Sequence, residues 1–600
     1  MEPYDLKAAA DARLKRSVIQ RDFQGGVYWL EQRPDLEGRT ILCHRDRSGE
    51  IRHVGNPAWS IGSHIGGYGG RAYVATPDGV YVVLAGSHEL WFVDASGQQR
   101  QVFTPDPSWA LGDLVMTTRG VTAIREISGD QVKRSIVSGL ERGECDVLFE
   151  GPHFLMDLQA NPAGDRVAFV HWEHPFMPWD AAQVVLAAVR QEGSLHVEEL
   201  FGGSDCPSWA PRFSALGVFS LQQTLEEWIT PVIHTKEGQR IVLGNASDNA
   251  DVPWTSTSGA HLLCSSGALV RARRIHGEHQ LQVVDEATVN LVSEVVTVED
   301  LCESDGVIFV LGATHDERTT LFALDEATMV LEPLLERTTR MVTRLEPLAI
   351  NGPDGRRIEG FFGAPEGVEH PPLIVFCHGG PTAAVDPSFD PTVQLFCSRG
   401  FAVAAPNYRG STGYGRSYRQ ALDGNWGVAD VADVVDYARG LIDLGVVDPT
   451  SMFIRGGSAG GLTALLALKS ELFLGATGSY ACTDLVQLAK VTHDFELHYL
   501  DRLLGPLPAS EALYRDRSPI HRPQDLKASV LLLQGTDDVV VPASQTEDFV
   551  TRCQELGLDV EVHLFPGEGH GFRKASTLVA AYRAELNHYE RLLALPKAAR

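Results

Sequence analysis

Three things are scarce in this 600-residue chain: pairable cysteines, uninterrupted apolar runs and positive charge. The nine cysteines, at 43, 145, 206, 264, 302, 377, 397, 482 and 553, are odd in number and far apart, with no C-x-x-C pair. This spacing argues against a disulfide or zinc framework and suits reduced, buried thiols, so a cytoplasmic setting is expected. No apolar stretch reaches about 18 residues, the length a membrane helix needs. The opening Met-Glu-Pro-Tyr-Asp-Leu-Lys-Ala carries no apolar segment behind a basic start, so neither a membrane anchor nor a secretory address is expected. With 51 basic residues against 78 acidic ones the net charge is −27, which opposes nucleic acid or an anionic membrane as partner. No cofactor or metal is expected either.

What is there is ordinary globular material, 44% hydrophobic, in a chain too long for one core, so two or more domains are expected. Residues 1–25 are charged and alanine-containing and read as a helical lead-in. From there to about 337 short β-like runs alternate with Gly, Asp, Pro and Ser turns. Apolar clusters begin at Val27, Arg71, Met116, Arg166, Gly217, His261 and Gly306, spaced by 44, 45, 50, 51, 44 and 45 residues. That is the period of four-stranded propeller blades, and it predicts a seven-bladed β-propeller over 26–337.

Beyond 337 the texture changes. A hairpin around Asn351-Gly-Pro-Asp-Gly355 is followed by buried-strand runs at Leu373–Phe376, Phe401–Ala405, Met452–Ile454, Val530–Leu533 and Val560–Phe565, with helical patterns between them. Alternating β and α predict a doubly wound, mostly parallel sheet, an α/β-hydrolase domain over 338–600.

The stretch Ile454-Arg-Gly-Gly-Ser-Ala-Gly-Gly-Leu-Thr463 holds a G-x-S-x-G between a strand signal and a helix signal, the context of a nucleophile elbow. Ser458 is the candidate nucleophile. A serine hydroxyl needs an imidazole base, and the imidazole a carboxylate, in the chain order Ser, Asp, His for this fold. His570, in Gly567-Glu-Gly-His-Gly571 after a strand, is the candidate base, and Asp537 and Asp538 compete as its partner. For the oxyanion, Ala459 N–H would pair with Gly380 N–H from Cys377-His-Gly-Gly-Pro381. His378 is given a supporting role only.

Together these residues resemble the prolyl oligopeptidase family of serine peptidases, nearest its acylaminoacyl-peptidase and dipeptidyl-peptidase-like branch. His378-Gly-Gly-Pro381, Asn407-Tyr-Arg-Gly-Ser-Thr-Gly-Tyr-Gly415, Gly456-Gly-Ser-Ala-Gly-Gly461, Gly535-Thr-Asp-Asp538 with Pro542, and Gly567-Glu-Gly-His570 occur in family order. In the propeller, His174-Pro-Phe-Met-Pro-Trp-Asp180 also resembles a family segment. The resemblance implies that Asp538, three residues after its glycine, is the acid. It also implies that the propeller caps the site and admits short peptides.

Phe495 and Tyr499, at i and i+4, resemble an aromatic pair lining the S1 pocket, and the adjacent Glu226 and Glu227 resemble an acidic pair that holds a free α-amino group. One departure stands out. Val540 occupies the position where relatives carry Arg or Asn to hold a substrate carbonyl. The expected substrate is a short peptide, or a small amide or ester. An esterase or amide-forming acyltransferase using the same triad stays open, as do free versus blocked N-termini and homo-oligomerisation.

Overall fold

Apolar and polar residues alternating over short runs, cut by Gly and Asp turns, drive the first half of the chain into antiparallel strands. The computed structural model describes residues 3–596 apart from 130, 152, 225–227, 244–251, 255–259, 286–287, 293 and 337–342. Its first half is seven sheets of four strands each. The first comprises Lys15–Arg21, Val27–Arg33, Arg39–Arg45 and Ile51–Val54; the seventh runs from Thr297–Ser304 to Val330–Pro333.

Middle strands carry the core and outer strands face water: Gly217–Gln223 is buried throughout, Leu195–Gly202 largely exposed. The ring closes where Lys15–Arg21 packs on Thr297–Ser304, with Ile19 N–H donating to the Asp300 carboxylate at 2.9 Å. This is the seven-bladed propeller that the repeat predicted.

The lead-in expected over 1–25 is corrected. Leu6–Asp11 is a helix, capped by the Asp5 side chain at the Lys7 and Ala8 amides, but Lys15–Arg21 is the strand of the first blade that meets the first strands of its neighbours. Its charged text hides this. Arg16 is buried against Glu31 at 2.8 Å, and Val18 sits at a bulge with φ 51°. The helix itself docks on the second domain, against Pro391–Cys397 and Ala575–Leu593, where Tyr4 N–H donates to Ser398 Oγ at 2.8 Å.

From Glu346 the chain builds a nine-stranded sheet. Arg357–Gly363 lies antiparallel to Ala402–Asn407; then Ala402–Asn407, Leu373–Cys377, Met452–Gly457, Gly475–Ser479, Ser529–Gly535 and Val560–Phe565 run parallel in that spatial order. Side chains alternate between two helical layers. Leu373, Val375, Met452 and Ile454 pack under the helices Ala429–Asp443 and Ala543–Glu555, while Ile374, Phe453 and Val403 pack under Pro391–Cys397 and Ala575–Leu593. The doubly wound α/β-hydrolase sheet is therefore present, with Met452–Gly457 central. Gly475–Ser479 is a strand the sequence did not announce.

Candidate active site

Met452–Gly457 delivers the chain into the helix Ala459–Ala467 through a single residue, Ser458, held at φ 54° and ψ −122°. Such a conformation is costly for a residue with a Cβ and marks a functional turn. The neighbours explain why it survives. A Cβ on Gly456 would lie 2.2 Å from Gly460 O, and one on Gly460 would lie 2.3 Å from Cys377 O. Both glycines are thus required by close backbone approach, and the second lets the Cys377–Pro381 loop sit against the elbow. Ser458 N–H is used by Ser479 O at 3.0 Å, whereas Ala459 opens the helix, where amides lack an intrahelical acceptor.

Asp538, with no exposed side-chain surface, accepts His570 Nδ1 at Oδ2, 2.9 Å away. Its Oδ1 accepts the amides of Val540 and Val541, each at 2.9 Å. Asp537 instead turns outward and accepts Thr536 Oγ1 at 2.7 Å. The His570 loop is held by Glu568, a buried carboxylate taking the amides of Arg573 and Lys574 at 3.0 Å each.

Ser458, Ala459, Gly380, Tyr499 and His570 line one cavity of about 400 Å³. Gly380 is held at φ 120°, where a side chain would be strained. His378 stacks on Tyr408 with 4.1 Å between ring centroids, its Nδ1 2.8 Å from Gly379 O and its Nε2 2.7 Å from Ser411 Oγ. Burial pushes its imidazole down to about 4, so near neutrality it is an uncharged prop and not a proton carrier.

The aromatic pair is divided. Tyr499 forms part of the cavity wall, its hydroxyl 2.6 Å from Thr382 Oγ1. Phe495 does not: it sits in the short 3-10 turn Asp494–Glu496, while Tyr499 begins a separate helix, Tyr499–Leu504. The i, i+4 relation therefore fails, and Phe495 packs instead between Tyr68, Phe154, Trp172 and Trp254, in the seam between propeller and hydrolase. Glu226 and Glu227 lie outside the described residues.

Sequence reasoning passed over the residue between that pair. Glu496 lines the cavity, its side chain 14% exposed, and accepts Tyr68 Oη at 2.5 Å and Thr492 Oγ1 at 3.3 Å. Burial first, then the Glu496 charge, raise the Tyr68 phenol, so it remains a donor. Among the described residues lining this cavity Glu496 is the only carboxylate and no Lys or Arg is present, although His493 Nε2, outside the lining, lies 3.9 Å from Glu496 Oε2. Its turn is pinned by Asp494, which meets Arg134 at 2.8 Å and His174 at 3.1 Å. Burial opposes the Asp494 charge, yet the bonds from His174 and Arg134 prevail and hold the carboxyl at about 2. Trp254 Nε1 donates across the same seam to Thr382 O at 2.8 Å. Val540 and Val541 supply apolar wall to the same cavity. Among the described residues no cluster has the makings of a metal site, and no helix is long and apolar enough to cross a membrane.

The sequence profile described as the prolyl oligopeptidase family matches residues 387–595. The chain is 32% identical over 215 residues to an acylamino-acid-releasing enzyme of Arabidopsis thaliana, covering 34% of this chain and 28% of that protein. It is 29% identical over 210 residues to dipeptidyl aminopeptidase BIII of Pseudoxanthomonas mexicana, covering 34% and 30%. The matched stretch thus spans under a third of these relatives' own length. Among solved structures, a puromycin-hydrolysing peptidase of Mycobacterium tuberculosis superposes with a TM-score of 0.91 at 30% identity, covering 99% of this chain and 97% of that one. A puromycin hydrolase superposes at 0.93 with 26% identity, over 99% and 97%.

Proposed function

This chain belongs to the prolyl oligopeptidase family, and from that premise we propose that it is a cytoplasmic serine aminopeptidase releasing a short unit from the free N-terminus of small peptides. Ser458 Oγ attacks the scissile carbonyl carbon while His570 takes its proton, and the imidazolium so formed is stabilised through Nδ1–H by Asp538. The amides of Ala459 and Gly380 donate to the oxyanion. The C–N bond then breaks as His570 returns the proton to the leaving amine. Water, activated by the same imidazole, releases the acyl group from Ser458. Nine free thiols support the reducing compartment.

The observation that carries the free N-terminus is Glu496. A mostly buried carboxylate held by a phenol and a hydroxyl, facing no Lys or Arg in the cavity and with the His493 ring nitrogen 3.9 Å away, gains a closer, charged partner in an ammonium ion. An acylated, neutral N-terminus would bring no such charge to the carboxylate. Val540, apolar where relatives hold an acyl-side carbonyl, leaves Glu496 as the anchor on that side.

Paired p-nitroanilides with free and acetylated N-termini test this. Glu496→Gln is expected to lower kcat/KM for the free series by about 10- to 100-fold, the worth of a charged hydrogen bond, and to change the acetylated series little. Acetylated substrates outperforming free ones on the parent enzyme would overturn the reading.

The propeller, taken to include Lys15–Arg21, acts as the gate, because Tyr68 and Trp254 reach from it into the wall of the nucleophile's cavity. On this reading substrate enters by the ring axis or by the seam. In a peptide series with one fixed N-terminal sequence, from about three to about sixty residues, kcat/KM should collapse with length. A folded domain bearing that same N-terminus should be inert; turnover comparable to the tripeptide's would refute gating.

A further inference from the structure

We infer that Gln534, outside every recognised motif, is a positioning residue for the acid of the triad. It lies at the end of the strand Ser529–Gly535, fully buried. Its Nε2 is 3.3 Å from Asp538 Oδ2, 3.1 Å from Val541 O and 3.1 Å from Gly535 O. Its Oε1 accepts Thr546 Oγ1 at 2.9 Å, from the helix Ala543–Glu555. The orientation of the amide is therefore determined. Turned over, it would set an oxygen against one carboxylate and two carbonyls, an arrangement with no donor.

The two oxygens of Asp538 are served differently. Oδ1 is tied to the amides of Val540 and Val541 and cannot respond to side-chain change. Oδ2 is shared between the His570 ring and the Gln534 amide. Gln534 thus does two things at the atom that meets the base: it keeps Oδ2 directed at the imidazole, and it disperses the negative charge there. Thr546 holds Gln534 in turn, so the constellation extends from the His570 loop through Asp538 and Gln534 to a helix. The other charged or titratable groups near the imidazole include Tyr480, whose ring stands edge-on to it at 4.8 Å, Tyr68, Cys482, Glu496 and Tyr499 in the same cavity, Asp537 facing Thr536, and Glu568 occupied by backbone amides. None of these bonds to Oδ2, so Gln534 is the side chain that can alter its charge without touching substrate.

This inference rests on the triad proposed above, and the experiment separates the two. Gln534→Leu removes the donor at similar volume, Thr546→Val removes only the hydroxyl that steadies Gln534, and His570→Ala serves as reference; all are made in the full chain. Gln534→Leu should lower kcat by about 10- to 100-fold with KM within about twofold. The charge left on Oδ2 favours the imidazolium, so the acidic limb of the kcat profile should move up by about half a pH unit. The far-downfield proton resonance of the His570–Asp538 bond should be displaced as well. Thr546→Val should move all three in the same direction by less, and it decides the matter if Gln534→Leu does not fold. Variants that melt earlier but keep the parent's pH profile and resonance would overturn the inference, since packing alone predicts that. If His570→Ala keeps turnover, the triad reading falls with it; if His570→Ala is dead and both variants are parent-like, only the role of Gln534 falls.

Discussion

Ser458→Ala should abolish turnover and covalent labelling by a fluorophosphonate while leaving thermal unfolding within a degree or two of the parent's. The loss should be about 10⁶ in kcat, since removing the nucleophile disables the triad as a unit and leaves only binding and oxyanion donors. Stability should hold because alanine meets the same backbone demand as serine at φ 54° and the elbow is built by its glycines. Labelling followed by peptide mapping is the decisive readout. An adduct on any other serine would remove Ser458 from the mechanism, and retained hydrolysis by the variant would do the same.

The second large effect is expected at Asp538. Asp538→Asn should cost about 10⁴ in kcat, or about 5.4 kcal/mol of transition-state stabilisation, through loss of the productive histidine tautomer. The local bonding makes this substitution harsher than isosterism suggests. Oδ1 must remain an oxygen to accept two amides, which forces the new NH₂ into the place of Oδ2, against the His570 ring and the Gln534 amide nitrogen. Asp537→Asn, on an outward-facing side chain, should stay within about threefold of the parent, the range of ordinary surface changes. Single-turnover rates on one p-nitroanilide compare the two, and a reversed order would assign the acid to Asp537.

The unequal legibility of this sequence has physical reasons. Propeller blades could be counted because each repeats one buried central pair of strands, so a periodic apolar signal survives irregular turns. Ser458 and His570 stood out because an elbow and a strand-end loop demand glycine on both sides of a reactive side chain. Local text failed where partners are remote. Lys15–Arg21 looks like a solvated segment until Glu31 and Asp300 supply partners for it. Gly475–Ser479 has hardly any β-forming residues, yet it is buried, and side chains of Leu592 and Leu532 fill the space a larger residue would need. Phe495 and Tyr499 have helical spacing, but the helix begins only at Tyr499. Glu496 reads as one acidic residue among many; its character comes from Tyr68, 428 positions earlier, a relation no local pattern encodes.

The docking of Leu6–Asp11 on Ala575–Leu593 has a consequence for how the molecule is made. Leu6–Asp11 is synthesised before the propeller and the sheet, and Ala575–Leu593, which receives it, after them. Until Ala575–Leu593 has been made, Ala9 and Ala10, fully buried in the folded protein, lack the surface they enter. The propeller can close as soon as its seventh sheet emerges, but the layer of helices beneath the central sheet cannot be completed until Ala575–Leu593 is made. The hydrolase is thus completed by two helices made far apart in time, and a nascent chain stalled between the seventh sheet and Ala575–Leu593 carries a finished propeller beside an unfinished catalytic domain.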